Sequence, residues 1–377
     1  MTRQSINRLL AVMVKEFIQM MRDRTTISMI IGIPLMQLIL FGYAINTNPR
    51  NLPTAVVNPE NTEFSRRILT SMENSTYFKF ISDPVDTKEA NWLLKTGQVQ
   101  FIVSFPPDFT RDIVKGLHPP LLLETDATDP AATSRAVSVF TDLASLALNE
   151  DLKGPLESLK PKLPPYQPQV HAIYNPLAIT AYNIVPGLLG VVLTMTMVIV
   201  TALVITRENE HGTMETLLAT PLKPMEVMAG KLIPFVIVGF IQVVLILVMA
   251  KLLFSVPSQG SILLLLVLSI PFIAANLSVG LTFSTLASNQ LQAVQSAMFF
   301  FLPSILLSGF MFPFRGMPEW AQWVGGALPL THYLIIVRGI LLKGNGFLEV
   351  WHQIIPICLF TVVVLFIGFK RYRKTLD

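Results

Sequence analysis

Long runs of apolar residues, separated by polar segments, dominate the pattern of the chain. The clearest run covers residues 184–206 and contains no Asp, Glu, Lys or Arg. A helix needs roughly 20 apolar residues to cross the hydrocarbon core of a bilayer, whereas core helices of soluble proteins usually carry a polar stripe. The run therefore predicts a transmembrane helix. With five similar runs it predicts an α-helical, polytopic membrane protein with six transmembrane helices, at residues 26–45, 184–206, 232–252, 262–286, 294–312 and 353–369.

The longest polar stretch, residues 46–183, lies between the first two predicted spans and holds most of the acidic residues. Short β-branched and aromatic runs alternate in it with helical patterns, which predicts a mixed α/β domain. The predicted strands are 54–58, 77–81, 100–105 and 121–125, and the predicted helices are 62–73, 87–96, 108–115 and 131–151. We expect Asp108 to cap the third of these helices and Gly116 to end it. The proline-rich segment 160–169 is typical of an extended connector.

Basic residues flank the first and last predicted spans. Because Lys and Arg favour the cytoplasmic side, we expect both termini to be cytoplasmic and residues 46–183 to be extracytoplasmic. Residues 1–25 place apolar side chains on one helical face and basic side chains on the other. This pattern is typical of an amphipathic helix in the cytoplasmic membrane interface, with a cytosolic helix packed on a partner as the alternative.

Composition agrees with a membrane protein and narrows its chemistry. The 377 residues are 52% hydrophobic and 14% charged, against about 25% charged in soluble domains, and the mean hydropathy is +0.56. The net charge is only +4 and no nucleic-acid-binding pattern occurs, so nucleic acid is not an expected partner. The single cysteine, Cys358, cannot form an internal disulfide.

The apolar segments lack the residues that would drive transport or catalysis. No Asp, Glu, Lys or Arg lies well inside the last five predicted spans, which disfavours a carrier that couples transport to ions. Gly230-Lys231 lacks the other residues of a phosphate-binding loop, and the chain has no His-Glu-x-x-His motif. We therefore expect no catalytic residue, no metal site and no cofactor bound by this chain. A pairing in space of Ser304 or Ser308 with His332 is the remaining route to hydrolytic chemistry.

The loop at residues 207–231 has the most informative local sequence. Gly212 is expected to break the helix that leaves the membrane, and Thr213 to cap a new short helix. Glu215 would lie in the first turn of that helix, where it favours the helix dipole. Leu217 and Leu218 would form its apolar ridge, and Pro221 would end it. A short helix across the ends of two spans suits mechanical contact with a partner, and an ordinary membrane-surface loop is the alternative.

Three motifs resemble a known family. The pattern Arg-Glu-x-Glu-x-Gly-Thr-x-Glu-x-Leu-Leu-x-Thr-Pro, from Arg207, is similar to a signature of the permease subunits of ABC-2-type exporters. Leu-Ser-Gly-Phe-x-Phe-Pro from Leu307 and Arg-Gly-x-Leu-x-Lys-Gly from Arg338 are similar to the region between the fifth and sixth spans of that family. The large domain after the first span resembles the bacterial drug-exporter branch.

The resemblance implies a permease subunit of an ATP-binding cassette exporter in the inner (plasma) membrane. Such a subunit moves a hydrophobic or amphipathic, drug-like or lipid-like substrate outward. A cytosolic ABC ATPase subunit would bind the ATP and Mg, and a second permease copy or paralogue would complete the path among membrane lipids. This branch often works beside a periplasmic adaptor protein. An ATP-independent secondary carrier and a non-transporting receptor are the alternatives from other functional classes.

The resemblance also implies two functional regions. Residues that couple the chain to the ATPase would be Arg207, Glu208, Gly212, Thr213, Glu215, Leu217, Leu218 and Pro221. Residues 313–346 correspond to an element that helps to close the outer end of the path. Their interrupted apolar pattern predicts short helices that re-enter the membrane, and a membrane-surface loop is the alternative. The residues expected at this external gate are Ser308, Gly309, Pro313, Pro329, Arg338 and Gly344.

Overall fold

The computed structural model describes residues 3–46, 48–58, 60, 62–81, 84–128, 130–148, 152–153, 157, 173–210 and 224–372. The chain divides into two compact units. The helical unit combines Met1–Ile45 with Ile173–Asp377, and the α/β unit is Asn46–Ala172.

Helices make up most of the described chain, and four short strands lie between the second and seventh of them. In chain order, the elements are α1 (Arg3–Arg22), α2 (Arg24–Ala44), β1 (Leu52–Val57), α3 (Glu63–Asn74), β2 (Phe78–Phe80), α4 (Thr87–Lys95), β3 (Phe101–Ser104), α5 (Phe109–Val114), β4 (Leu122–Thr125), α6 (Pro130–Leu146), α7 (Thr180–Glu210), α8 (Pro224–Phe254), α9 (Ile262–Leu286), α10 (Gln290–Leu307), α11 (Glu319–Ala327), α12 (Pro329–Lys343), α13 (Phe347–Val350) and α14 (Ile354–Tyr372). Short 3-10 turns lie at Phe314–Gly316 and Trp351–Gln353.

The α/β unit contains a four-stranded sheet in the order β2-β1-β3-β4. Strand β1 pairs in parallel with β2 and β3, and β4 is antiparallel to β3. One face carries Val56 and Phe101 against α3, α5 and α6, and the other carries Ala55 and Ile102 against α4. Because β1 is covered on both faces, it is an almost continuous apolar run, as buried parallel strands usually are. The strands lie within two residues of their predicted positions, while the predicted connector at 160–169 lies outside the described residues.

The start of α5 differs from the prediction. Asp108 adopts a left-handed conformation with φ +60° and makes no capping hydrogen bond. It forms an ion pair with Arg111 at 2.9 Å instead. The carboxylate of Glu60 takes the capping role by accepting a hydrogen bond from the backbone N–H of Thr110 at 3.0 Å. The hydrogen bonds from Thr110 hold the pKa of Glu60 below its ordinary value of 4.5. Gly116, with φ +76°, follows the end of α5 as predicted.

Helix α7 lies at the centre of the helical unit and packs against α2, α8, α9, α10 and α12. Its side chains Leu188, Leu193 and Met197 are fully buried. Helix α14 packs on α9, and α1 packs along α8. A helix that is apolar on every side and also buried on several sides is typical of a membrane bundle rather than of a small soluble domain.

Five helical segments among the described residues are long and apolar enough to cross a membrane. They are Thr180–Arg207, Gly230–Phe254, Ile262–Leu286, Gln290–Leu307 and Phe347–Gly368. The apolar part of α2, Ile30–Ala44, is shorter. Helices α11 and α12 together also meet the length criterion, but they are bent by 82° at their junction. The described helices therefore provide five or six candidate spans.

The fifth predicted span is shifted in the structure. Helix α10 begins at Gln290, where the Asn289 side chain accepts a hydrogen bond from the Gln292 N–H at 2.8 Å. It passes through Pro303 and ends at Leu307. The predicted end at residue 312 is wrong because Gly309 adopts φ +85°, a left-handed conformation that ends helices.

Candidate functional site

Two ends of the helical unit carry the residues that the sequence singles out. The loop end is the end at which α7 stops and α8 starts, and it brackets residues 211–223. The arginine end is the region around Arg338, where α12 meets α7 and the segment that follows α10.

At the loop end, the structure describes only part of the predicted coupling site. Arg207 lies in the last turn of α7, and Glu208 is in the same helix. The other predicted coupling residues lie outside the described residues: Gly212, Thr213, Glu215, Leu217, Leu218 and Pro221. The short coupling helix therefore stays a prediction, and the described residues show how the end of α7 and the start of α8 are held.

Arg207 connects α7 to the junction of α1 and α2. Its guanidinium Nη1 lies 3.8 Å from Oδ2 of Asp23, and both side chains are partly exposed. Asp23 is the residue between α1 and α2. An exposed ion pair of this kind contributes at most about 1 kcal/mol, so it adds only weakly to the packing of α7 against α2.

Glu210 connects the last turn of α7 to the first turn of α10. Its carboxylate accepts a hydrogen bond from the backbone N–H of Gln290 at 2.7 Å and another from the Gln290 side-chain amide. Gln290 is the first residue of α10. A carboxylate at this place also complements the partial positive charge of a helix N-terminus. The residues before 211 are thus attached to two other parts of the helical unit.

The beginning of α8 is attached to α1. A Cβ atom placed on Gly230 would lie 2.8 Å from a methyl carbon of Val12, so the glycine allows the two helices to touch. Next to it, Lys231 and Glu16 are both buried, at 3% and 7% exposure. The negative charge of Glu16 stabilises the positive charge of Lys231. Lys231 therefore has a role in packing α8 on α1 rather than in binding phosphate.

Helix α1 combines this contact with an exposed apolar face. Val12 and Glu16 are buried, while large apolar side chains along the helix are exposed: Leu10, Val14, Phe17, Ile18 and Met21. Helix α1 thus packs on α8 of its own chain, and the choice between an interfacial helix and a helix packed on a partner stays open. The exposed apolar face is also suited to the membrane interface.

At the arginine end, the structure brings Arg338 and Gly309 together. The Arg338 guanidinium donates a hydrogen bond from Nη1 to the carbonyl oxygen of Gly309 at 3.1 Å. Ser308 precedes Gly309 and donates its hydroxyl to the Ile305 carbonyl. Two predicted gate residues mark the limits of α12, because Pro329 is its first residue and Gly344, with φ +72°, is its C-cap.

The structure also places Pro313, His332 and the two serines that could have paired with it. Pro313 precedes the 3-10 turn at Phe314–Gly316. The ring of His332 is hydrogen bonded to Gln353 and to the carbonyl of Gly326. Ser304 donates to a carbonyl of its own helix, so neither serine forms the pairing with His332 that hydrolysis would need. No cluster of potential metal ligands occurs among the described residues.

A buried hydrogen-bond network joins three helices midway along the bundle. The Gln242 amide of α8 donates to the carbonyl of Ile30 in α2 at 2.8 Å. The side-chain oxygen of Gln242 accepts a hydrogen bond from the Thr196 hydroxyl of α7, also at 2.8 Å. Gln242 thereby bonds two neighbouring helices, whereas the Asn276 amide donates to the carbonyl of Phe272 in its own helix.

Several partners at the loop end were not predicted from the sequence. Gln290, Asp23 and Glu16 are not among the predicted coupling residues. A carboxylate within an amphipathic helix, one helical turn from an apolar residue such as Val12, was the available signal for Glu16. Identifying Lys231 as its neighbour required the packing of α1 on α8.

The family model and the similar proteins all point to ABC transporters. A family model described as "ABC-2 family transporter protein" matches residues 24–370. "Probable multidrug ABC transporter permease YbhS" of Escherichia coli (strain K12) is 29% identical over 99% of this chain and 98% of its own length. "Probable multidrug ABC transporter permease YbhR" of the same organism is 27% identical over 98% of this chain and 99% of its own length. "ABC transporter G family member 20" of Dictyostelium discoideum is 23% identical over 94% of this chain and 49% of its own length. Since the family model spans nearly all of the chain, this protein belongs to the ABC-2 family of transporter proteins.

Proposed function

We propose that this chain is the membrane permease subunit of an ABC exporter, which moves a hydrophobic or amphipathic substrate out of the cytoplasm or the inner leaflet. The full-length relatives named as multidrug ABC transporter permeases support this function. The chain has no phosphate-binding loop of its own, so a separate ABC ATPase subunit binds ATP and Mg and supplies the energy. A second permease copy or paralogue completes the path, and a periplasmic adaptor and surrounding lipids are further partners.

The attachment of both borders of residues 211–223 to the rest of the bundle is the observation that carries the mechanism. The α7 border is tied to the α1–α2 junction through Arg207 and to α10 through Glu210. The α8 border is packed on α1 at Gly230. A force that moves the segment between these borders therefore reaches α1, α2 and α10 as well as the two helices that carry it. This arrangement supports a role for residues 207–231 as the contact through which a nucleotide-driven partner acts on the permease.

Simultaneous replacement of Glu208 and Glu215 by Ala tests this coupling. We expect the double variant to insert normally and to lose the stimulation of ATP hydrolysis that the permease gives its ATPase partner, because two polar contacts to the partner are removed. The measurement is ATPase activity of the reconstituted complex in liposomes, with membrane insertion followed separately. Glu319→Ala is the matched control, because Glu319 is an exposed glutamate in the first turn of α11, away from the loop end.

Unchanged stimulation in the double variant would contradict the coupling role of this loop. Substrate movement by the permease alone, with no ATPase present and with a dependence on an ion gradient, would favour the secondary carrier instead. That alternative requires an ion-binding group within the bundle.

A further inference from the structure

Arg338 is a partly buried cation whose hydrogen-bonding capacity is mostly unused. It lies within α12, a helix that forms part of the bent apolar pair. Its Nη1 donates to the Gly309 carbonyl, but its Nε and Nη2 atoms are buried and have no hydrogen-bond partner among the described residues. No described carboxylate forms an ion pair with Arg338 either. Nitrogen donors of a cation that are shielded from water and left without an acceptor are strongly unfavourable.

The two unused nitrogens form one recognition edge. Nε–H and one N–H of Nη2 point in the same direction from the planar guanidinium, at the spacing of two oxygens in a carboxylate or a phosphate. Such parallel pairs of charge-assisted hydrogen bonds are the strongest that arginine makes. The Gly309 carbonyl holds the opposite side of the guanidinium, so it fixes the direction of the free edge.

The surroundings of this edge are apolar. Phe310 is buried, and its ring packs edge-to-face with Phe41 of α2 at 6.5 Å between centroids. A Cβ atom on Gly187 of α7 would lie 2.7 Å from the Phe310 ring and 3.3 Å from Nη2 of Arg338. The guanidinium and the aromatic ring therefore meet the same point of α7. A group with an anionic head and an apolar body would satisfy both.

We propose that Arg338 binds the oxyanion head, carboxylate or phosphate, of an amphipathic molecule whose apolar part lies along Phe310 and Phe41. This inference rests on the proposed function insofar as the bound molecule is the exported substrate, which it assigns to the anionic amphiphiles. The edge is shielded in this structure, so binding involves displacement of the Phe310 ring from α7. Ionisable residues in membrane-embedded segments are costly, and by default they indicate a functional site.

Binding of radiolabelled oleate to the purified full-length permease in neutral detergent tests the proposal. Oleate supplies the carboxylate, and methyl oleate has the same chain without the charge. We expect wild-type protein to bind oleate at least about tenfold more tightly than the ester, since each tenfold corresponds to about 1.4 kcal/mol. Arg338→Gln should remove this preference, and Arg338→Lys should retain only part of it because lysine lacks the fork. Arg315→Gln is the matched control, because Arg315 is an exposed arginine on the segment between α10 and α11, which also contains Gly309.

Equal binding of oleate and methyl oleate by wild-type protein would overturn the proposal without any variant, and so would full oleate affinity in a folded Arg338→Gln protein. Displacement of oleate by phosphatidic acid, but not by its dialkyl phosphotriester, would identify a lipid headgroup as the occupant. Oleate that resists phosphatidic acid and is exported by the complex would identify a substrate. The binding assay needs no ATPase, so a negative result overturns this inference and leaves the proposed function standing, whereas failure of the proposed function would appear in the ATPase-stimulation experiment with oleate binding unchanged.

Discussion

Gln242 donates a hydrogen bond to a backbone carbonyl that a proline leaves without its helical donor. In an uninterrupted helix the carbonyl of Ile30 would accept the N–H of residue 34, but that residue is Pro34, inside α2, which has no N–H. The Gln242 side chain donates to this same carbonyl at 2.8 Å. A backbone acceptor freed in one helix is thereby satisfied by a side chain of another, which explains why an amide is buried in the bundle at 0% exposure.

Replacement of Gln242 by Leu should lower the stability of the bundle by about 1–2 kcal/mol, since two buried hydrogen bonds are lost and the Ile30 carbonyl is left unpaired. In a Pro34→Ala background the loss should be smaller, because the backbone N–H that alanine restores can donate to the Ile30 carbonyl. The measurement is a double-mutant cycle on thermal unfolding in detergent. Equal losses in both backgrounds would show that Gln242 does not act through the carbonyl of Ile30.

At the scale of elements, small residues set the closest approach between α7 and α9. A Cβ atom on Gly280 would lie 2.7 Å from the Val198 carbonyl oxygen and 2.8 Å from Cβ of Thr201. Both contacts involve α7, and the first is to backbone that cannot rotate away. Close approach through small residues is a main source of attraction between helices in membranes, because the hydrophobic effect does not operate between apolar surfaces in lipid.

Gly280→Ala should therefore destabilise the helical unit by about 1–3 kcal/mol, as overpacking of a filled core does. Gly326→Ala is the matched control. It makes the same chemical change in α11, where an added Cβ meets nothing within 4 Å. We expect the control to be neutral or slightly stabilising, since alanine reduces the freedom of the unfolded chain. Thermal unfolding of both variants in one detergent gives the comparison, and equal midpoints would contradict the close α7–α9 contact.

The elements were predictable to different degrees. The length of the apolar runs alone located α7, α8 and α9, because a charge-free run as long as 184–206 is not expected in a soluble protein. The end of α10 was not predictable, since it depends on Gly309 turning left-handed before the apolar run stops. The capping of α5 by Glu60 rather than Asp108 was not predictable either, because the contact depends on tertiary structure.

The candidate site was also predictable only in part. Sequence motifs identified Arg207, Glu208, Arg338 and Gly309, because their types and spacing resemble a family. The partners of these residues come from distant parts of the chain, as Asp23 does for Arg207. Such contacts are fixed by helix packing, which periodicity and composition do not specify. The loop 211–223 lies outside the described residues, so the identities of its coupling residues still depend on sequence alone.

At the scale of the whole molecule, the orientation of the chain in the membrane stays a prediction. The six predicted spans, with basic residues at both ends, predict cytoplasmic termini and an α/β unit, with most of the acidic residues, on the opposite side of the membrane. Helix α9 offers a test of this arrangement, because an exposed serine lies beyond each of its ends. Ser258 lies between α8 and α9, and Ser288 lies between α9 and α10.

The topology predicts opposite labelling of these two serines after replacement by cysteine. In a Cys358→Ser background, which removes the only native cysteine, a membrane-impermeant maleimide added to intact cells whose outer membrane has been permeabilised should label Ser258→Cys. It should leave Ser288→Cys unlabelled until the inner membrane is opened. Lys88→Cys, on the exposed surface of α4, should behave like Ser258→Cys, because the α/β unit is predicted to share its side of the membrane. Labelling of Ser288→Cys before Ser258→Cys would invert the orientation, and would place the loop at 207–231 where no cytosolic ATPase can reach it.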